Sequence, residues 1–359
     1  MKVAFIITDM TREGGTERVT QILCDHLKQS FPNWEITIIS CFRNNKGLSF
    51  PLTQNVDIKY LLNKDYYVSH SKAKRLARLF EAEKALRKYL KLMKFDVIIS
   101  QAFLPSFLMF LSNFKGKWIV CEHFKYELYS ALSTKVRNFV YTHADQVVTL
   151  TDTDGAKFKN IGIDTVTIPN MITFPIQENI SNGKRMVSVG RLHYQKGYDI
   201  LIPAMVDVFK RFPDWNLDIY GEGEDREMLT NLISQCNLTE KIKLRGYSDN
   251  IRRELLNSDL CLVSSRFEGL PMSIIEALAL GVPVVSFDCP EGPSELLKNE
   301  AGILVPPEDG RKLSEAIIRA IGDVDLRKKL RQNGYRNIVN YTPEVIINKW
   351  KQLFEKLVK

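Results

Sequence analysis

Short apolar runs, each followed by a stretch with helical spacing, recur along the whole chain, and this alternation limits the fold more than any other feature. In the first half the runs are Lys2–Thr8, Glu35–Ser40, Val97–Ser100, Trp118–Cys121 and Gln146–Leu150. In the second they are Arg185–Val189, Leu217–Tyr220, Ile242–Arg245, Leu260–Ser264 and Pro283–Phe287. Strands that are apolar on both faces belong to parallel sheets covered on each side by helices, so the expected class is α/β. At 359 residues the chain exceeds what one core usually organises, and two domains are expected. The segment Ile168–Pro175 carries two prolines and leads into the polar run Gln177–Lys184, which places the break there. The expected domains are residues 1–169 and 170–342, both Rossmann-like and doubly wound. The helical pattern of 343–359, with Val345, Ile346, Trp350, Leu353, Phe354 and Leu357, has no strand after it and is expected to pack back on the first domain.

Hydrophobic residues at 45% and charged residues at 26% exclude a disordered or fibrous chain. The six cysteines form no CxxC pair and lie mostly in apolar segments, which fits reduced thiols in the cytoplasm rather than a disulfide frame or zinc site. The apolar start is too short for a signal peptide and meets Asp9. The longest other apolar run, Phe103–Phe114, falls short of the ~20 residues of a membrane span and is broken by Pro105. The net charge of +8 is concentrated between Lys64 and Lys94, where ten Lys/Arg face three Asp/Glu. Leu76, Leu79, Phe80, Leu86, Leu90 and Met93 recur there at helical spacing, so an amphipathic helix with one basic side is expected. Such a helix can sit on an anionic membrane surface, bind phosphates, or simply be solvated. Nucleic acid is not an expected partner.

In open parallel sheets ligands bind beyond the carboxyl ends of the strands, so the loops that follow strands carry the chemistry. The segment Ser264–Asp288 reads as strand, tight loop, helix and strand, with Pro271 at the helix start and Gly281 and Pro283 at its end. Its helix N-terminus offers free N–H groups to an anion or to hydroxyls. Glu268 stands in the loop, and Glu276 follows about two turns along the helix. Glu276 lies within Ile274-Ile275-Glu276-Ala277-Leu278, where a solvated acid is out of place and a paired or ligand-bound carboxylate is expected.

This Glu-x7-Glu segment resembles the signature of the GT-B retaining glycosyltransferases of family 4. Gly190-Arg191-Leu192 with Lys196-Gly197, Ile168-Pro169-Asn170, Gly221-Glu222-Gly223 and Gly246-Tyr247 resemble further motifs of that family in the same order. The resemblance implies two Rossmann-like domains facing across a cleft. It implies that Arg191 and Lys196 hold the donor diphosphate in place of a metal. By the same carry-over Glu276 accepts from ribose hydroxyls, and Glu268 orients the transferred sugar with the N–H groups of Gly269 and Leu270. Gly246, Tyr247 and Ser248 line the nucleobase. In the first half, Gly14-Gly15 resembles the family's glycine loop, where Gly15 lets backbone approach the donor or acceptor. His123, in Cys121-Glu122-His123-Phe124, matches a position near the reacting carbon. Asp288–Glu295 looks like a stretch frequent in bacterial polysaccharide glycosyltransferases.

The implied function is transfer of a hexosyl or N-acetylhexosaminyl group from a nucleoside-diphosphate sugar, a UDP-sugar, with retention and without cofactor or metal. The implied acceptor is a saccharide linked to polyprenyl diphosphate at the inner face of the plasma membrane, as in O-antigen or capsule assembly. A sugar-nucleotide epimerase and a non-catalytic sugar-nucleotide-binding module are the alternatives. Two patterns are set aside. Thr151-Asp152-Thr153-Asp154 has the form of a metal-binding DxD but reads as a helix N-cap, and Gly221–Arg226 lacks the third glycine of a dinucleotide fingerprint.

Overall fold

A computed structural model describes residues 1–44, 47–48, 50–66, 72–179, 181 and 183–358. Residues 67–71 of the expected basic helix region, and 180 and 182 of the expected inter-domain run, lie outside the described residues. The chain divides into two compact units, Met1–Asn170 with Pro343–Lys359, and Met171–Thr342.

The first unit is built on seven parallel strands: β1 Lys2–Ile7, β2 Glu35–Ser40, β3 Asp57–Tyr60, β4 Val97–Gln101, β5 Lys117–Cys121, β6 Gln146–Thr149 and β7 Thr165–Thr167. Their order is β3-β2-β1-β4-β5-β6-β7. The second unit holds β8 Arg185–Val189, β9 Asn216–Tyr220, β10 Ile242–Gly246, β11 Leu260–Val263, β12 Val284–Phe287 and β13 Ile303–Val305, in the order β10-β9-β8-β11-β12-β13. Every strand pair in both sheets is parallel. Each sheet therefore winds outward from its first strand in one direction, then returns and winds the other way. The order reverses between β1 and β4 in the first unit and between β8 and β11 in the second. In sheets of this order the loops leaving the strands on either side of the reversal run apart, which is where ligands bind.

The central strands are apolar for a plain reason: Val3, Ala4, Phe5 and Ile6 are fully buried, with helices on both faces. The strands absent from the sequence reading, β3, β7 and β13, all lie at sheet edges. An edge strand needs fewer apolar residues, and in β3 exposed and half-buried residues alternate.

The expected basic helix runs from Lys72 to Leu92, but its apolar residues do not all pack. Ala82, Leu86 and Leu90 are buried, whereas Leu76 and Phe80 are 55% and 61% exposed. The run at Phe103–Phe114 becomes the helix Phe103–Ser112, which buries Leu108 and Met109 in the core of the first unit. None of the described helices is long and apolar enough to cross a membrane. The terminal helix Pro343–Val358 lies on the first unit, burying Ile346, Ile347, Trp350, Leu353 and Phe354 against the helix Gly15–Ser30, with Trp34 edge-on to Phe354 at 5.3 Å. Val345, expected on the packed face, is exposed, and Ile347 takes its place. All six cysteines are free thiols, five of them buried.

Among the charged residues deep in the first unit, Glu122 has a signature in pH. Glu122, immediately after β5, accepts hydrogen bonds from the Tyr141 hydroxyl at 2.7 Å and the Phe124 N–H at 3.1 Å. Nearby, the fully buried Arg137 stacks on Tyr126 and Phe158 at 4.4 and 4.8 Å. Burial outweighs these contacts and pushes the Glu122 pKa up to about 7. The native state then keeps a proton that the unfolded chain, with an ordinary value of 4.5, releases. The stabilising contribution of the protonated form is complete below that unfolded value and is lost as pH rises through the folded one. Glu122→Gln mimics the protonated form. It is expected to leave the Tm unchanged at about pH 5 and to raise it by several degrees at about pH 8, and an equal effect at both values counts against this assignment.

Candidate active site

The switch point of the second unit gathers the residues singled out in its sequence. β8 runs into Gly190-Arg191-Leu192-His193, then a single 3-10 turn at Tyr194–Lys196, and Gly197 opens the helix Tyr198–Arg211. Gly197 has φ of +63°, and a Cβ there would lie 2.1 Å from the Ser264 carbonyl oxygen, so only glycine lets this loop meet the one after β11. Across that contact the Lys196 ammonium reaches the Glu268 carboxylate at 2.6 Å, and the Ser265 hydroxyl donates to the same oxygen at 2.6 Å. Glu268 is 8% exposed. A carboxylate so placed is tolerable only with a cation and hydrogen bonds to hold it; the loop after β8 delivers the cation through Lys196 and the close fit around Gly197, and Ser265 of the loop after β11 adds its hydroxyl.

The remaining residues are distributed around this pair. Arg191 stands exposed on the same loop, five residues upstream of Lys196. Glu276 is 1% exposed in the helix Met272–Ala279 and accepts from the Thr173 hydroxyl at 2.8 Å, so it is a paired buried acid. That helix starts after Pro271 with no side-chain cap, which leaves its first N–H groups to other partners. Gly269 and Leu270 form the turn into it, held by Gly292, whose added Cβ would lie 2.5 Å from the Gly269 carbonyl oxygen. The glycine turns after β9 and β10 join, with Gly221 N–H donating to the Gly246 carbonyl at 2.8 Å. Tyr247 then presents a ring that is 59% exposed. The Ser248 hydroxyl accepts the Asn250 N–H at 3.2 Å and so shapes its own turn.

In the first unit, Gly15 begins the helix Gly15–Ser30 behind Gly14, with open space where a Cβ would lie, so packing does not demand a glycine there. His123 follows β5, with its Nε2 against the Gln101 side-chain oxygen. Desolvation lowers its pKa to about 4, so the ring is neutral at ordinary pH. Thr151 caps the helix Asp152–Lys159 by accepting the Asp154 N–H, and Asp154 in turn accepts the Tyr126 N–H at 3.0 Å. That geometry is the N-cap read from the sequence.

One residue of this site escaped the sequence reading. Arg266 grips both Asp199 carboxylate oxygens at 2.8 and 2.7 Å, Glu308 at 2.8 Å and the Tyr194 carbonyl at 2.7 Å, and it lies 4.0 Å over the Tyr194 ring. Its own N–H donates to the Gln195 carbonyl, and Gln195 donates back to Phe267. It therefore staples the Lys196 loop to the Glu268 loop. Only its position, two residues before Glu268, hinted at this.

Comparison with known proteins follows the same division. Residues 172–337 match the family model for glycosyl transferases group 1, and residues 13–173 match that for glycosyltransferase family 4. The amylovoran biosynthesis glycosyltransferase AmsD of Erwinia amylovora is 29% identical over 98% of this chain and 99% of its own. An uncharacterized glycosyltransferase of Methanocaldococcus jannaschii is 30% identical over 65% of this chain and 69% of its own. Among solved structures, the pneumococcal O-GlcNAc transferase GtfA, in complex with UDP and GlcNAc, superposes with a TM-score of 0.82 at 15% identity, over 100% of this chain and 99% of that one. At that identity the likeness speaks for the fold.

The contact between Lys196 and Glu268 has a measurable signature in stability. Lys196→Met and Glu268→Gln are each expected to destabilise the second unit, and the double variant to lose less than their sum by about 1–3 kcal/mol in denaturant unfolding. Losses that add within about 0.5 kcal/mol would show that the two charges do not depend on each other.

Proposed function

The chain belongs to the family-4 glycosyltransferases of GT-B fold, and from that premise we propose that it is a retaining enzyme that moves a hexosyl or N-acetylhexosaminyl group from a UDP-sugar to a saccharide acceptor in bacterial surface-polysaccharide assembly. The observation that carries this reading is the Lys196–Glu268 pair beside an uncapped helix N-terminus at the switch point of the second unit. A donor diphosphate competes for the Lys196 ammonium, and Arg191 adds a second cation from the same loop. Glu268, released from Lys196, then accepts hydroxyls of the transferred sugar, assisted by the N–H groups of Gly269 and Leu270. Glu276 serves the ribose, and the turn Gly246–Ser248, with the exposed Tyr247 ring, serves the base. Gly15 and His123 of the first unit belong to the same proposal.

In this reaction the bond from the anomeric carbon to the diphosphate oxygen breaks. A bond from that carbon to an acceptor hydroxyl forms on the same face, and the hydroxyl proton passes to the departing diphosphate. Arg191 and Lys196 stabilise the charge that develops on the leaving group, the task a metal performs in other transferases. The structure of GtfA in complex with UDP and GlcNAc supports a uridine donor by analogy. An epimerase on the same scaffold would turn over the donor with no acceptor present.

For the acceptor, the supporting observation is the outer face of the helix Lys72–Leu92. The exposed Leu76 and Phe80 share it with the exposed cations Lys84, Arg87, Lys88 and Lys91. Apolar side chains flanked by cations suit an anionic bilayer, which fits a lipid-linked acceptor at the cytoplasmic membrane face.

Two measurements test this reading. Transfer from an α-linked UDP-sugar is expected to give an α-linked product by NMR, and a β-linked product rules out retention. Co-sedimentation with phosphatidylglycerol vesicles at low salt is expected to fall about tenfold or more for Leu76→Ser/Phe80→Ser, since each apolar side chain withdrawn from water contributes roughly 1.5–3 kcal/mol. Equal binding of the variant and the unaltered chain removes the membrane assignment.

A further inference from the structure

The carboxyl end of β4 carries two costs that its fold does not require. Gln101, the last residue of β4, is 2% exposed, yet only its side-chain oxygen is engaged, facing His123 Nε2. Its amide nitrogen is buried without a hydrogen-bond partner among the described residues. Leaving such a donor unpaired is unfavourable, so a glutamine placed for stability alone would be satisfied at both ends. The next residue, Ala102, has φ of +68° and ψ of −178°, a conformation that strains any residue with a Cβ. It is held there by donating its N–H to the Cys121 carbonyl at 2.7 Å. That bond joins β4 to β5 two residues before His123. Unsatisfied polar groups and backbone strain gathered at one strand end mark function more often than stability.

The chemistry of the contact is specific. With the amide oriented so that its oxygen faces the ring, that oxygen accepts and His123 Nε2 carries the hydrogen. Nδ1 is then the acceptor edge of the ring. Glu122, its neighbour in the chain, turns away toward Tyr141 and the Phe124 N–H, and burial keeps the His123 ring neutral.

We propose that Gln101 is a positioning residue for the transfer reaction, holding His123 in the Nε2–H tautomer so that Nδ1 faces substrate as an acceptor. This rests on the reading of His123 as a participant in that reaction. It adds the residue that sets the state of the ring.

The test uses the full chain with 15N-labelled histidine, where long-range proton–nitrogen spectra report the tautomer and His123→Ala identifies the signal. The unaltered protein is expected to show Nε2–H from about pH 5 to 8. Gln101→Leu is expected to give a mixture of tautomers. Its kcat should fall about 10- to 100-fold, as for other groups that orient a functional imidazole, with the donor KM held within about threefold. Gln101→Glu places a carboxylate against Nε2–H and is expected to move the His123 titration, and with it the acid limb of the kcat profile, upward by at least about one pH unit. A Gln101→Leu protein that keeps the pure Nε2–H form, or keeps full kcat, overturns the proposal. If His123→Ala itself keeps full kcat, the role of His123 in transfer falls, while the spectra still decide whether Gln101 sets its tautomer.

Discussion

Two charges meet at 2.6 Å where the loops after β8 and β11 converge, and the local structure of the second unit is arranged around holding them there. Neither charge is secure alone. Glu268 is too buried to be left without a cation, and Lys196 reaches it only because its loop passes close over Ser264 at Gly197. The doubly wound order brings the two loops side by side, the glycine permits the approach, and Arg266 fastens it with contacts on both sides. In the proposed function this pair exchanges partners, an incoming diphosphate taking the ammonium and leaving the carboxylate for hydroxyls.

The two units repeat one topology with different contents. In each, most of the proposed site residues follow the strands flanking the reversal of strand order, or their immediate neighbours. The second unit places charge there, as Lys196, Arg191 and Glu268. The first places neutral polar groups, with Gly15 after β1, Gln101 at the end of β4 and His123 after β5. Of its buried carboxylates, Glu122 is turned into the core against Tyr141.

Much of the fold was legible in the sequence because the central strands are buried on both faces and must be apolar. The edge strands β3, β7 and β13 were not, since they are short and only partly buried, unlike the edge strand β10, whose apolar run was legible. Helical periodicity located the helix Lys72–Leu92 but misplaced Leu76 and Phe80, because spacing counts apolar residues without knowing which have something to pack against. At the site, Glu276 could be read as a buried paired acid from its apolar surroundings, and the structure places it at 1% exposure against Thr173. The direct contact of Lys196 with Glu268 could not be read, since 72 residues separate them and only the strand order brings them together. Arg266 and Gln101 lay in plain view but act through partners that only three-dimensional packing reveals.

The most direct test of this arrangement is calorimetric binding of UDP to the full chain and to its Lys196→Ala variant. If the diphosphate takes Lys196 from Glu268, the variant loses a charge-assisted contact of about 1.5–3 kcal/mol, and its Kd rises about 10- to 100-fold while the protein remains folded. A folded variant that binds UDP as tightly as the unaltered chain would contradict the assignment of the donor site to the switch point of the second unit.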